Sequence, residues 1–242
     1  PERVLFVGNS LIYRNDLPKQ FAQLASAALG RPVEAEMLAR GGAHLSHHVA
    51  AGVVQRELAS GGYTALVMQE FGGGLRCHAS LEKFGFTCEA SHAAHTELAM
   101  LAQQYGARAV LLGTYRMDPG GSRDLSLAEA ELATGIGALH AGLGDFPALR
   151  ATHPDWLWLD PEDGQHPGLD LTLLMALRTL RRLYQQSPPS RAVSLTYRDY
   201  RGPHAPRLQS LASAQFPGLS SQQRVLDATA LEGRLRAAGA SL

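Results

Sequence analysis

Four short runs of this chain carry side chains that could do chemistry together: Gly8-Asn9-Ser10, Arg40-Gly41-Gly42-Ala43-His44, Gln69-Glu70-Phe71 with three glycines after it, and Asp163-Gly164-Gln165-His166. A serine hydroxyl is a weak nucleophile until a base accepts its proton. A histidine can accept it, and a carboxylate on the far ring nitrogen then fixes the tautomer and stabilises the imidazolium. Asp163, three positions before His166, is spaced to reach Nδ1 within one turn while Nε2 faces Ser10. Glycines leave backbone N–H groups uncovered for a developing oxyanion, and each such donor is worth roughly a hundredfold to a thousandfold in rate. Taken singly, each run has a plainer reading: Gly-Asn-Ser is good turn chemistry, Gly41-Gly42 a loop, and DGQHPG a turn with a surface histidine.

Chemistry of this kind needs elements that bring the runs to one place. Val4-Leu5-Phe6-Val7 reads as a fully buried strand over 3–8. Residues 17–29 have helical spacing at Leu17, Phe21, Leu24 and Ala28, with Asn15 or Asp16 as N-cap and Gly30 at the stop. The pattern then predicts a strand at 33–39, a helix over 43–59, a strand at 65–69, a helix over 89–106 and a strand at 107–115. Ser126 with Glu129 three positions on has the pattern of a capping box opening a helix. A weaker strand at 137–143 and a long helix over 168–185 follow. Strand alternating with helix predicts a parallel sheet of about five strands, covered on both faces. In such a sheet ligands bind beyond the carboxyl ends of the strands. All four runs fall at strand ends or helix starts on that edge.

The bulk numbers narrow the classes. A chain of 242 residues is long enough for one sizeable core. The formal net charge is zero, which removes the electrostatic case for nucleic acid or an anionic membrane surface. No apolar run reaches the ~18 residues of a membrane span. The first residue is Pro1, so a cytoplasmic place and export after removal of a signal peptide both stay open. Cys77 and Cys88 flank one loop and are read either as a disulfide or as free thiols. SPPS at 187–190 marks a break, so 1–186 is expected to be the main domain. The expected role of 187–242 is an extra layer packed on it, with a lid or dimer arm as alternatives, and AVSLTY and a helix near 221–238 inside it.

At these residues the chain resembles the SGNH hydrolases, the GDSL-like esterase and lipase superfamily. FVGNSLIYRNDLP is similar to the family's first block, GGAHL to its second and DGQHP to its fifth, in order over about residues 3–185. The resemblance implies a flavodoxin-like three-layer α/β/α sandwich, chemistry without metal or cofactor, and an acyl-serine intermediate. It implies Ser10, Asp163 and His166 as the catalytic residues, and Ser10 and Gly42, with Gly41 as the alternative glycine, as backbone oxyanion donors. The third block departs, because Gln69-Glu70 stands where the family has Gly-x-Asn. Gln69 is therefore expected to supply the side-chain amide. Asn9, Gly41, His44 and Glu70 are the expected substrate contacts, with helix capping as a second role for Glu70. The reaction implied is hydrolysis of a small-acyl ester of a small molecule or a carbohydrate; a homo-oligomer stays open. A non-catalytic protein of this fold that binds a glycan or acylated ligand is the alternative.

Other constellations compete less well. His44, His47 and His48, and separately His92 and His95, have spacing that could hold zinc if a further ligand joined, but neither HExxH nor Cys-x-x-Cys is present. GNSLIYRN lacks both phosphate-binding fingerprints. Trp156 and Trp158 are expected in the core or a pocket wall rather than as a sugar platform, and loops 71–88 and 114–125 are expected to shape the pocket.

Overall fold

Residues 2–72, 75, 77, 85, 87–202, 205–210 and 219–239 are described by the structure, a computed structural model. Among them the strands are β1 (Glu2–Gly8), β2 (Val33–Arg40), β3 (Ala65–Met68), β4 (Arg108–Leu112), β5 (Leu139–Ala141), β6 (Val193–Arg198), β7 (Arg207–Ser210) and β8 (Ser221–Leu226). The helices are α1 (Ser10–Tyr13), α2 (Leu17–Leu29), α3 (Leu45–Ala50), α4 (Val53–Ala59), α5 (Cys88–Gln104), α6 (Pro119–Gly135), α7 (Phe146–Thr152), α8 (Leu169–Tyr184) and α9 (Ala228–Gly239). The main sheet runs β5-β4-β3-β1-β2-β7; its first five strands are parallel and β7 is antiparallel to β2.

Strand alternation divides the core into two layers. Val4 and Phe6 of β1, Ala65 and Val67 of β3, and Val110 and Leu112 of β4 face α2, α7 and α8. Leu5, Val7, Leu66, Met68 and Leu111 face α3, α4, α5 and α6. The result is the α/β/α sandwich that the alternating runs predicted.

The expectations over 17–29 and 168–185 match α2 and α8 within a residue or so, whereas three others need correction. The 43–59 helix is two helices, because Gly52 adopts φ +64° and breaks the run. The helix near 126 begins at Pro119, capped by Asp118, whose Oδ2 accepts from Gly121 N at 2.6 Å. Ser126 and Glu129 lie inside it, so much of the expected 114–125 loop is helical. The tail helix starts only at Ala228, since 221–226 pairs with β6 as β8. Asp16 occupies the N-cap position of α2 at φ +53°, and its Oδ2 accepts from Arg198 N at 3.2 Å, tying the helix start to β6.

The segment after residue 187 is tied to the sandwich in three ways. It supplies β7, it lays the β6–β8 ribbon beside α2, and it packs α9 on α8. Asp170, at the start of α8, holds it: Oδ1 accepts from Arg224 Nη2 at 2.6 Å and from Arg234 Nε at 2.9 Å, while Oδ2 accepts from Leu157 N at 2.7 Å. Removing a buried carboxylate strands its partners' charge. Asp170→Ala should therefore cost about 3 kcal/mol in urea-melt stability and expose the segment to proteolysis, and Asp170→Asn, which keeps an acceptor for Leu157 N, should cost less.

Candidate active site

The end of β1 explains why a strand of apolar residues stops at Gly-Asn-Ser. At Gly8 the ends of β1 and β3 approach so closely that a Cβ would lie 2.9 Å from Gln69 O and 2.5 Å from Ile12 Cδ1. His48, with none of its surface exposed, donates Nε2–H to Gly8 O at 2.7 Å. Asn9 then leaves the strand in an extended conformation and caps α1: its Oδ1 accepts from Leu11 N at 3.1 Å and its Nδ2 donates to Ala43 O at 3.1 Å. Ser10, the first residue of α1, is presented at the sheet's carboxyl edge.

The partner of Ser10 comes from the loop before α8. His166 Nε2 accepts from Ser10 Oγ at 2.9 Å, and Nδ1 donates to Asp163 Oδ2 at 2.7 Å. With the carboxylate on Nδ1, the neutral ring carries its proton there and leaves Nε2 as acceptor. Asp163 Oδ1 accepts from the backbone N–H groups of Gln165 at 2.8 Å and His166 at 2.9 Å. Burial alone would raise this carboxyl, but those N–H groups and the imidazole outweigh it and hold it well below the usual carboxylate range. The loop is pinned by Asp160 N to His166 O at 2.9 Å, by Asn15 Nδ2 to Pro167 O at 2.7 Å and by Tyr115 OH to Gln165 O at 2.6 Å.

Ser10 and His166 open into a cleft of about 420 Å³ lined by Asn9, Leu11, Gly42, Phe71, Gly72, Tyr115, Arg116 and Gln165. Gly42 takes φ +69°, a left-handed conformation that glycine accommodates without strain. Among the described residues no protein acceptor takes the N–H of Ser10 or of Gly42. A larger groove of about 510 Å³ lies between α2, β2 and β6, at the sheet's edge, and contains no nucleophile–base pair.

No family model matches the chain, and no curated protein does. Solved structures do match. TesA is 18% identical with a TM-score of 0.54, the match covering 76% of this chain and 99% of TesA. Axe2, an acetylxylan esterase from Geobacillus stearothermophilus, is 12% identical with a TM-score of 0.57, over 76% of this chain and 94% of Axe2. The strand order, the layers and these two matches agree with the family likeness read from three of the four runs. The chain has the SGNH-hydrolase fold. Catalytic mutants of Axe2 in the same comparison replace a serine, an aspartate and a histidine, the last two three positions apart.

Within this SGNH fold the expected Gln69 donor is a correction. Strand alternation puts Gln69 on the same side as Val67, where its Nε2 donates to Gly113 O at 2.8 Å and touches Met175 Sδ at 3.4 Å, fully buried away from the cleft. Glu70 points to the opposite layer, only 3% exposed, and is not a substrate contact. It accepts from Leu45 N, the first residue of α3, at 3.0 Å, from Phe71 N at 2.7 Å and from Ser91 Oγ at 2.7 Å, which is its capping role. Burial raises its carboxyl. His44 also lies outside the cleft lining, buried, stacked on His47 with ring centroids 4.8 Å apart and set against Phe71. Gly41 sits outside it too, where a Cβ would meet the Tyr13 hydroxyl at 2.8 Å. Asn9 lines the cleft, yet both polar atoms of its amide are committed to the turn.

The histidines on helix faces are scattered rather than convergent. His48 turns inward to Gly8, His47 Nδ1 accepts from His44 N at 3.1 Å, and His95 donates Nδ1–H to Ser91 O at 2.7 Å. Cys77 and Cys88 form a disulfide with Cα atoms 5.0 Å apart; His92 lies beside them, but the bonded sulfurs offer no thiolate. Trp158 packs edge-on against Phe146, and Trp156 is stacked between His153 and the Arg234 guanidinium. The 71–88 loop lies largely outside the described residues, although Phe71 and Gly72 line the cleft. The loop after β4, expected to shape the pocket, does so through Tyr115 and Arg116, which sequence reasoning did not name singly.

Burial pushes His48 and His95 down to about 4. The folded protein holds both rings neutral, so the unfolded chain takes up protons first. Their contribution is complete above about pH 6.5 and is lost as pH falls towards 4, on the order of 3 kcal/mol each. Urea melts from pH 7 to 4 should show this fall, with a shallower slope in His95→Gln.

Proposed function

We propose that the protein is a serine esterase that hydrolyses small-acyl esters, with carbohydrate acetates as the favoured class. The observation that carries the reading is the continuous Ser10–His166–Asp163 hydrogen-bond line, 2.9 Å and 2.7 Å, opening on a cleft. Ser10 Oγ attacks the acyl carbonyl as its proton passes to His166 Nε2, and Asp163 stabilises the imidazolium. The oxyanion faces the N–H groups of Ser10 and Gly42. The intermediate collapses as His166 returns the proton to the leaving alkoxide. Water, activated by the same imidazole, then attacks the acyl-serine and releases the acid. Phe71, Tyr115 and Leu11 line the cleft that Ser10 opens into, apolar surface against which an acyl group would pack. The likeness to an acetylxylan esterase whose catalytic mutants replace a serine, an aspartate and a histidine supports both triad and substrate class.

One observation favours a second reading. With Gln69 turned to Gly113, no side-chain amide from the third block faces the nucleophile, as in a protein that binds an acylated ligand without cleaving it. Hydrolysis of p-nitrophenyl acetate, butyrate and octanoate separates the two. The wild type should prefer acetate, and Ser10→Ala and His166→Ala should fall to background, a loss on the order of a millionfold for a residue acting in a triad. Equal, feeble rates in all three proteins, with Ser10 inert to an organophosphonate, would mean binding without catalysis.

A further inference from the structure

The turn that carries Ser10 also carries a cation aimed at the catalytic acid. Arg14 N donates to Ser10 O at 3.2 Å, and the side chain crosses to the acid–base loop, where Nη2 reaches Asp163 Oδ2 at 3.2 Å and Asp160 Oδ2 at 2.8 Å. The Asp163 oxygen it meets is the one that accepts from His166 Nδ1. Asp160, 3% exposed, shares the same Oδ2 with Arg201 Nη2 at 2.7 Å, from the segment after residue 187. Arg201 is itself aimed by Asp199 and Glu162, each at 2.5 Å. Arg14 Nε is buried with no partner among the described residues, an arrangement that stability alone does not favour.

We infer that Arg14 is a positioning residue for the Asp163–His166 pair, and that the C-terminal segment acts on catalysis through Arg201, Asp160 and Arg14. This rests on the serine-esterase reading. The guanidinium and the imidazole share one Asp163 oxygen, so Arg14 fixes where that carboxylate stands and sets a positive charge beside the ring that accepts the serine proton. Arg201 matters because it holds Asp160 between two cations. Without it, Asp160 draws Arg14 to itself and away from Asp163. The other groups near the pair are Ser10 from α1, Asp160 on its own loop, and Tyr115 and Arg116 after β4, while Glu162 and Asp199 contact Arg201 instead.

The test is the pH profile of kcat/KM on p-nitrophenyl acetate for the wild type, R14M, R14K, R201M and R14M/R201M, each checked for folding by thermal melting. R14M should lose on the order of ten- to a hundredfold in kcat. Its acidic limb should move to higher pH, because a cation set close to the imidazole is gone. R14K should return the limb towards wild type. R201M should shift it the same way by less, and the double variant should shift no further than R14M, because Arg201 acts through Arg14. A folded R14M with the wild-type limb overturns the inference, as does a double variant whose shifts add. Should R14M fail to fold, a folded R201M with wild-type rate and limb overturns it. A wild type inert both to the ester and to organophosphonate labelling of Ser10 refutes the esterase reading instead, which is a different outcome.

Discussion

An imidazole that bridges a hydroxyl and a carboxylate tolerates displacements of only a few tenths of an ångström before one hydrogen bond is lost. Here the two bonded groups lie more than 150 positions apart in the chain, Ser10 after the first strand and Asp163-His166 before the last helix of the sandwich. The surrounding structure is arranged to hold that separation. On the serine side, Gly8 lets β1 and β3 close up, His48 holds the Gly8 carbonyl, and Asn9 both caps α1 and ties it to the loop after β2. On the histidine side, the Asp163 carboxylate is fixed by two backbone N–H groups of its own turn, and Asn15 and Tyr115 pin that turn from neighbouring elements.

Around the carboxyl edge of the sheet, buried polar side chains serve the backbone rather than the cleft. Glu70 caps α3 and receives Ser91 from α5. Glu129, inside α6, accepts from Thr114 N at 2.9 Å and from His140 Nε2 at 3.2 Å, and burial raises its carboxyl. Gln69 holds the Gly113 carbonyl. Each satisfies a group where a strand has ended and its ladder partners have run out, the place where an unpaired N–H or C=O would be most costly. The cleft residues therefore stand beside strand ends whose backbone groups are paired.

The segment after residue 187 adds Leu195, Tyr200, Leu226, Leu231 and Ala238 to the core and is also held by charge. Asp170 takes Arg224 and Arg234, and Asp160 takes Arg201 together with Arg14. Half-buried pairs of this kind demand close geometry to offset desolvation, which gives them directional specificity that a greasy contact lacks. Through Arg14 the Asp160 cluster is linked to Asp163, the partner of His166.

The sequence by itself determined the sandwich, the place of Ser10 at the end of β1, and the Asp163–His166 turn. All three rest on short-range signals: apolar runs bounded by turn residues, helical spacing, and a carboxylate three positions from an imidazole. It also contained the break at Gly52 and the strand at 221–226, both too brief to outweigh the helical spacing around them. What only the tertiary structure decided is the direction of each side chain past a strand end and the pairing of distant charges. Gln69 and Glu70 are adjacent polar residues in sequence, yet the pleat sends one to Met175 and the other to Ser91. Arg14 is one of many arginines until Asp160 and Asp163 are folded against it. Local pattern specifies which element a residue joins; only packing specifies what that residue meets across the chain.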